Sequence, residues 1–163
     1  MVGHLEHRAV GPLVQSADFE RVLGLPSKAR SPHFAVHHLA AAPHVKPRPV
    51  RRGLIPELST AGAPSASSSV DNSVSPQPAV PSGLWLGTVV PKRHAKRAAT
   101  RNLVKRQMRA AVACHAGALP HGLWVLRLRS PIDRKQFASA ASDALRFAVR
   151  AELDAMLQRA ASR

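Results

Sequence analysis

The sequence predicts a small α+β domain, a two-layer α/β sandwich whose sheet carries helices mainly on one face. Three observations predict it. Short apolar runs at 33–39, 84–90 and 122–129 suit strands. Stretches with helical spacing at 16–23, at 98–115 and from 130 onward are interleaved with them. The resulting order (helix, strand, strand, helix, strand, helix) layers a sheet against helices. About 100 residues carry these elements, a common single-domain size.

The domain is expected over 17–40 and 84–160. Residues 1–16 read as a flexible tail without the apolar stretch of a secretory signal. Residues 41–83 read as a disordered Pro/Ser/Ala-rich insertion. They hold eight of the 14 prolines, eight serines and no aromatic residue. Proline removes backbone donors and fixes φ, and few large apolar side chains are present to offset the entropy of ordering.

Within the domain, Ser16 to Leu23 starts with capping residues and places Phe19, Val22 and Leu23 on one face. Gly24 and Pro26 stop it. In the strand at His33 to Leu39, Phe34, Val36 and His38 alternate with Ala35, His37 and Leu39. Leu84 to Val90 is a second strand, ended by Pro91, and Gly122 to Arg129 a third. Trp85 and Trp124 are expected in the core. Ser130-Pro131-Ile132-Asp133 reads as the start of a long C-terminal helix with a break near Ser139, having a capping serine, a first-turn proline and an acid at the positive dipole end. Along it Leu145, Val149, Leu153 and Leu157 form one apolar stripe with Met156 beside them.

Charge is the strongest functional signal. The chain has 24 Lys+Arg against 9 Asp+Glu, a formal net charge of +15. Such an excess points to a polyanionic partner. It is also local: from Asn72 to Ile132 there is no acid, and ten Lys and Arg fall in that stretch. Acids are too few and scattered for a carboxylate-driven active site. There is no Gly-rich phosphate loop, His-Glu-x-x-His or Cys/His cluster. His33, His37 and His38 are split between two strand faces and carry no metal site. The single cysteine, Cys114, permits no internal disulfide and is expected as a small buried apolar residue. No apolar run approaches the roughly 20 residues that cross a bilayer.

The basic residues concentrate in PKRHAKRAATRNLVKRQMR, from Pro91 to Arg109. On a helix, Arg97, Arg101, Lys105 and Arg109 form one stripe, with Asn102 and Arg106 farther round the same side. Val104, Met108 and Ala111 form the adjoining apolar stripe. Like charges at this spacing destabilise an isolated helix by about 0.2–0.5 kcal/mol per pair. A phosphate backbone compensates them and releases counterions on binding. The competing readings are a solvated charged face and a nuclear-localisation signal. A membrane-surface helix lacks insertion area, because Ala98, Ala99, Ala110 and Ala111 are small.

Lys92-Arg93, seven residues, Arg101-Asn102, then Lys105-Arg106 and Arg109 resemble the signature of the protein subunit of bacterial ribonuclease P. Further similarity lies in Asp18 to Leu23, Arg30 to Leu39, Leu86 to Val90 and Leu119 to Gly122, and covers about 17–157 apart from the insertion. Three positions depart from the family pattern. Leu103 stands where a second arginine belongs, His37 where an aromatic residue is common and Leu23 where phenylalanine is common. The insertion is long for the family.

The resemblance implies that catalysis resides in an RNA subunit, which uses bound Mg2+ to cut the 5′ leader from precursor tRNA. It implies no catalytic residue and no metal site in the protein. It assigns binding of the catalytic RNA to Lys92, Arg93, Lys96, Arg97, Arg101, Asn102, Lys105, Arg106 and Arg109. It places the leader in a cleft between the first helix and the sheet, for which Phe19, Phe34, Val36 and His37 are the candidates. One protein per RNA and a cytoplasmic location are expected. The alternative is a structural RNA-binding protein of the ribosomal kind.

Overall fold

The structure is a computed structural model that describes residues 9–44, 81–133 and 135–162. Five strands form one sheet: β1 (Val10–Pro12), β2 (Ala29–Arg30), β3 (Phe34–Leu39), β4 (Leu84–Val89) and β5 (Gly122–Leu128). Their order is β1-β4-β5-β3-β2. The helices are α1 (Ser16–Leu23), α2 (Ala98–His115) and α3 (Asp143–Ala161).

The central pairings follow the apolar runs. β5 is buried at every position but Arg127, which suits the middle of a sheet covered on both faces. It lies parallel to β4, with Gly87 opposite Val125, and antiparallel to β3, with His37 opposite Val125. α2 makes the crossover between the parallel strands. β5 opens on Gly122 at φ +131°, where a Cβ would press on the Leu39 carbonyl.

Two cores flank the sheet. Phe34, Val36, Leu84, Leu86, Trp124, Leu126 and Leu128 face α2 and α3. α2 inserts Leu103, Val104, Met108, Ala111 and Val112; α3 inserts Leu145, Val149, Leu153, Met156 and Leu157. The expected stripes on both helices are therefore the buried ones. On the opposite face a smaller core joins Leu13, Val22, Leu123 and Val125, with Phe19, Leu23, Leu39, Trp85 and Val89 against it. Among the described residues α1 is the one helix on that face, so these helices lie mainly on one side.

Several expectations are corrected. Val10–Pro12, inside the segment expected as a tail, is a strand parallel to Leu84–Leu86. Its Val-Gly-Pro sequence is too short to carry a period and is ordered by its partner. β2 is equally short and is held by β3. The C-terminal helix does not begin at Ser130. Asp133 Oδ1 instead accepts from Lys135 N, closing a local turn. Thr100 Oγ1 and Arg97 donate to the Ala140 and Ala138 carbonyls, tying the segment to α2. The working cap is Ser142, whose hydroxyl accepts from Leu145 N at 3.2 Å. Cys114 is exposed rather than buried. Trp124 is fully buried as expected, donating from Nε1 to the Pro120 carbonyl, whereas Trp85 is only partly buried.

Most of the expected insertion, residues 45–80, lies outside the described residues. Its first residues are engaged. His44 N donates to Asp18 Oδ2 at 2.9 Å and His44 Nδ1 donates to Asp18 Oδ1 at 2.6 Å.

Candidate nucleic-acid interface

The basic segment folds as a short loop running into α2. The loop is closed by backbone bonds from His94 and Ala95 to the Pro91 carbonyl, and Ala95 is its buried anchor. Arg101 reaches back from the first turn of α2. One of its guanidinium nitrogens donates to the Ala95 carbonyl at 3.0 Å and the Lys96 carbonyl at 2.8 Å. A cation on the helix thus shapes the loop that carries Lys92, Arg93 and Lys96.

All nine residues expected to bind RNA lie on the surface. Lys92, Arg93, Lys96, Arg97, Asn102, Arg106 and Arg109 are exposed, and Arg101 and Lys105 are half-buried. Among the described residues, the ion pairs involve Arg21, His33, His44, His115, Arg146 and Arg150, and none involves this segment. Its cations are thus free of close carboxylate partners among the described residues, although Asp133 lines the same cavity as Arg93, Lys96 and Arg97. Burial and the Arg93 and Arg127 cations hold the His94 imidazole below its ordinary pKa.

Leu103 is 3 % exposed and packs in the core. In this chain that position faces inward, so a leucine there removes nothing from the basic face. Asn102, Lys105, Arg106 and Arg109 border an open groove of about 540 Å3 on the outer side of α2.

A second groove, of about 550 Å3, runs along the edge of β4. β1 covers β4 only as far as Leu86, leaving the edge at Thr88 open. Phe19 of α1 forms one wall, and Lys105 and Arg109 of α2 the other. An apolar ring and two cations thus face one channel, the combination that holds single-stranded nucleic acid.

The other leader-groove candidates are separated from it. Phe34 is 1 % exposed and Val36 is 0 % exposed, both in the core against α2 and α3. Alternation places them on the sheet face opposite α1, so they do not line a cleft there. His37 does lie on the α1 face, half-buried, with Nδ1 donating to the Leu25 carbonyl at 3.0 Å. It shares a cross-strand row with Val125 and Gly87, the glycine beneath Phe19. Thr88, which lines the groove, is not among the expected site residues, and Arg127 is counted only in the basic stretch. Arg127 projects from β5 on the α1 face, opposite Ala35 and Val89, and the break in an otherwise apolar strand was its signal.

Asp18, at the start of α1, is fully buried. Burial alone would raise its pKa. Hydrogen bonds from the His44 ring and backbone N–H and from Arg21 together outweigh burial and hold it below the ordinary carboxylate value. It is a structural clasp between α1 and residue 44. Among the described residues, no group of three or more His, Cys, Asp or Glu side chains could hold a metal ion. Among them also, no helix is long and apolar enough to cross a membrane.

Residues 10–152 match the family model described as Ribonuclease P. The chain is 44% identical over 78 residues to the ribonuclease P protein component of Paraburkholderia xenovorans, covering 47% of this chain and 55% of that protein. It is 41% identical over 81 residues to the corresponding component of Bordetella parapertussis, covering 50% and 62%. The alignments thus span little more than half the length of these relatives. The fold resembles that of the RNase P protein from Staphylococcus aureus, with a TM-score of 0.51 at 16% identity over 99% of this chain and 94% of that one.

Proposed function

The chain belongs to the ribonuclease P protein family, and from that membership we propose that it is the protein component of a ribonucleoprotein endonuclease that removes the 5′ leader of precursor tRNA. The observation that carries this reading is the β4-edge groove, which brings Phe19 together with Lys105 and Arg109 of the basic helix. One ligand surface thereby adjoins the other.

In this reading the outer side of α2 and the 92–97 loop dock on the catalytic RNA. Arginines grip phosphate oxygens, lysines act as compact charges and Asn102 offers an amide to a base, a sugar hydroxyl or a phosphate. The leader lies along the β4 edge, a base against Phe19 and its phosphates toward Lys105 and Arg109. The polypeptide orients substrate and supplies no cleaving group. Magnesium belongs to the RNA. Among the described residues no donor set fits a metal ion. One protein per RNA and a cytoplasmic setting complete the proposal.

The test is reconstitution. Purified protein alone should leave precursor tRNA intact. Addition of the cognate RNA transcript at low magnesium should give mature 5′ ends, and more of them than the transcript alone. Processing by the protein alone at the same rate refutes the division of labour. Sequencing the RNA that co-purifies from the native cell should recover the catalytic transcript; ribosomal RNA in its place would favour a structural role.

A further inference from the structure

We propose that the groove between β2 and the end of α3 is a second phosphate-binding surface, seating a sugar–phosphate segment of the catalytic RNA distinct from the segment on α2. The inference rests on the RNA-binding reading above and adds a site to it.

The groove has a volume of about 740 Å3, with Lys28 and Arg30 on the β2 side and Gln158, Arg159 and Ser162 on the α3 side. Among the described residues, three cations and no carboxylate line it. Each cation is restrained. Lys28 Nζ lies 5.6 Å from the centroid of the Trp124 ring. Arg30 Nε donates to Ser27 Oγ, and Arg159 Nε donates to the Ala155 carbonyl at 3.2 Å. Side chains already held lose less rotamer freedom on binding an anion.

The nearby acids of α3 are committed elsewhere. Glu152 accepts from the backbone N–H and ring of His33, and Asp154 lies between His115 and Arg150. The C-terminus of α3 carries a partial negative charge that opposes an anion. Arg159 in the last turn of α3 offsets that charge, and the Gln158 carbonyl accepts from Ser162 N and Oγ.

Position makes the site separate from the α2 ridge. β2 is the sheet edge three strands from β4, the strand that α2 contacts, roughly 14 Å at ordinary strand spacing. The two surfaces therefore sit over different strands of the sheet. In the proposal the RNA presents one segment to each.

The test tethers iron–EDTA at single cysteines in full-length protein carrying Cys114→Ser. Ala99→Cys reports on the α2 ridge and Gln158→Cys on the proposed groove. Bound to the ribonuclease P RNA transcript, both probes should cleave RNA, at different nucleotides. Cleavage from position 99 alone, or at the same nucleotides from both, overturns the second surface while leaving the first. Cleavage from neither overturns the RNA-binding reading and this proposal with it. In parallel, Arg30→Gln with Arg159→Gln should flatten the log–log salt dependence of RNA affinity by about 0.7–0.9 for each phosphate no longer neutralised. An unchanged slope in that variant, where Lys105→Ala does flatten it, overturns the proposal.

Discussion

The ring of Phe19 occupies the space that a side chain at Gly87 would need. Its Cζ lies 2.7 Å from the position of a Cβ there, with Leu13 Cδ2 at 3.2 Å. The glycine lets an aromatic ring from α1 settle against β4 at the head of the groove shared with Lys105 and Arg109. Gly87→Ala should displace the ring and destabilise the fold by about 1–3 kcal/mol, the usual range for overpacking. Denaturant unfolding measures that loss. Leader-containing precursor should weaken relative to mature tRNA in the same variant; equal binding losses would separate the ring from leader recognition.

Phe19 and Phe34 should behave oppositely. Phe34→Ala empties a fully buried site and should cost about 3–5 kcal/mol of stability. Phe19→Ala should cost less and act on leader affinity. Thermal melts paired with binding to precursor and mature tRNA distinguish the two. A Phe34→Ala protein of native stability would contradict the assignment to the core.

Arg101 should be worth more than one phosphate. Lys105→Ala removes a charge alone and should flatten the salt slope by about 0.7–0.9. Arg101→Ala removes a charge and also the donor to the Ala95 and Lys96 carbonyls. Its affinity loss should exceed that of Lys105→Ala, and amide exchange across 92–97 should rise. Equal losses with unchanged exchange would show that the loop holds itself.

Asp18 links stability to pH with a definite sign. Its carboxyl is held below the ordinary value in the folded chain. Its contribution is therefore present above the unfolded-state pKa and lost as pH falls through the folded one. Asp18→Asn keeps the shape but loses the charge, and should destabilise by about 1–3 kcal/mol at neutral pH. The difference from the parent should shrink on acidification below the ordinary carboxylate range. Unfolding curves across that range would show it, and a difference constant with pH would contradict the clasp.

His94 should report RNA binding. Burial and the neighbouring cations depress its pKa in the free protein. A phosphate backbone nearby favours the imidazolium, so binding should raise that pKa and take up a proton. Affinity should strengthen as pH falls from the bound pKa toward the free one. NMR titration of the His94 ring, free and bound, measures both values; identical values would place the RNA away from the loop.

Chain order and local pattern were enough to delimit α1, α2 and the three longer strands, because each carries its own apolar repeat or run. The basic face was legible for the same reason. Four-residue spacing fixes which side of a helix a residue occupies, and the absence of acids from 72–132 is a property of composition. Tertiary packing decided the rest. Two- and three-residue strands have no period and exist only through partners, so β1 and β2 became visible with the sheet. The start of α3 turned on long-range bonds from Thr100 and Arg97, which hold the preceding segment out of the helix. Alternation separates Phe34 and Val36 from His37, but which set meets α1 depends on how the helices distribute over the two faces. That distribution also buried Leu103. Local sequence determines which residues share a surface; packing of the whole chain decides what that surface faces.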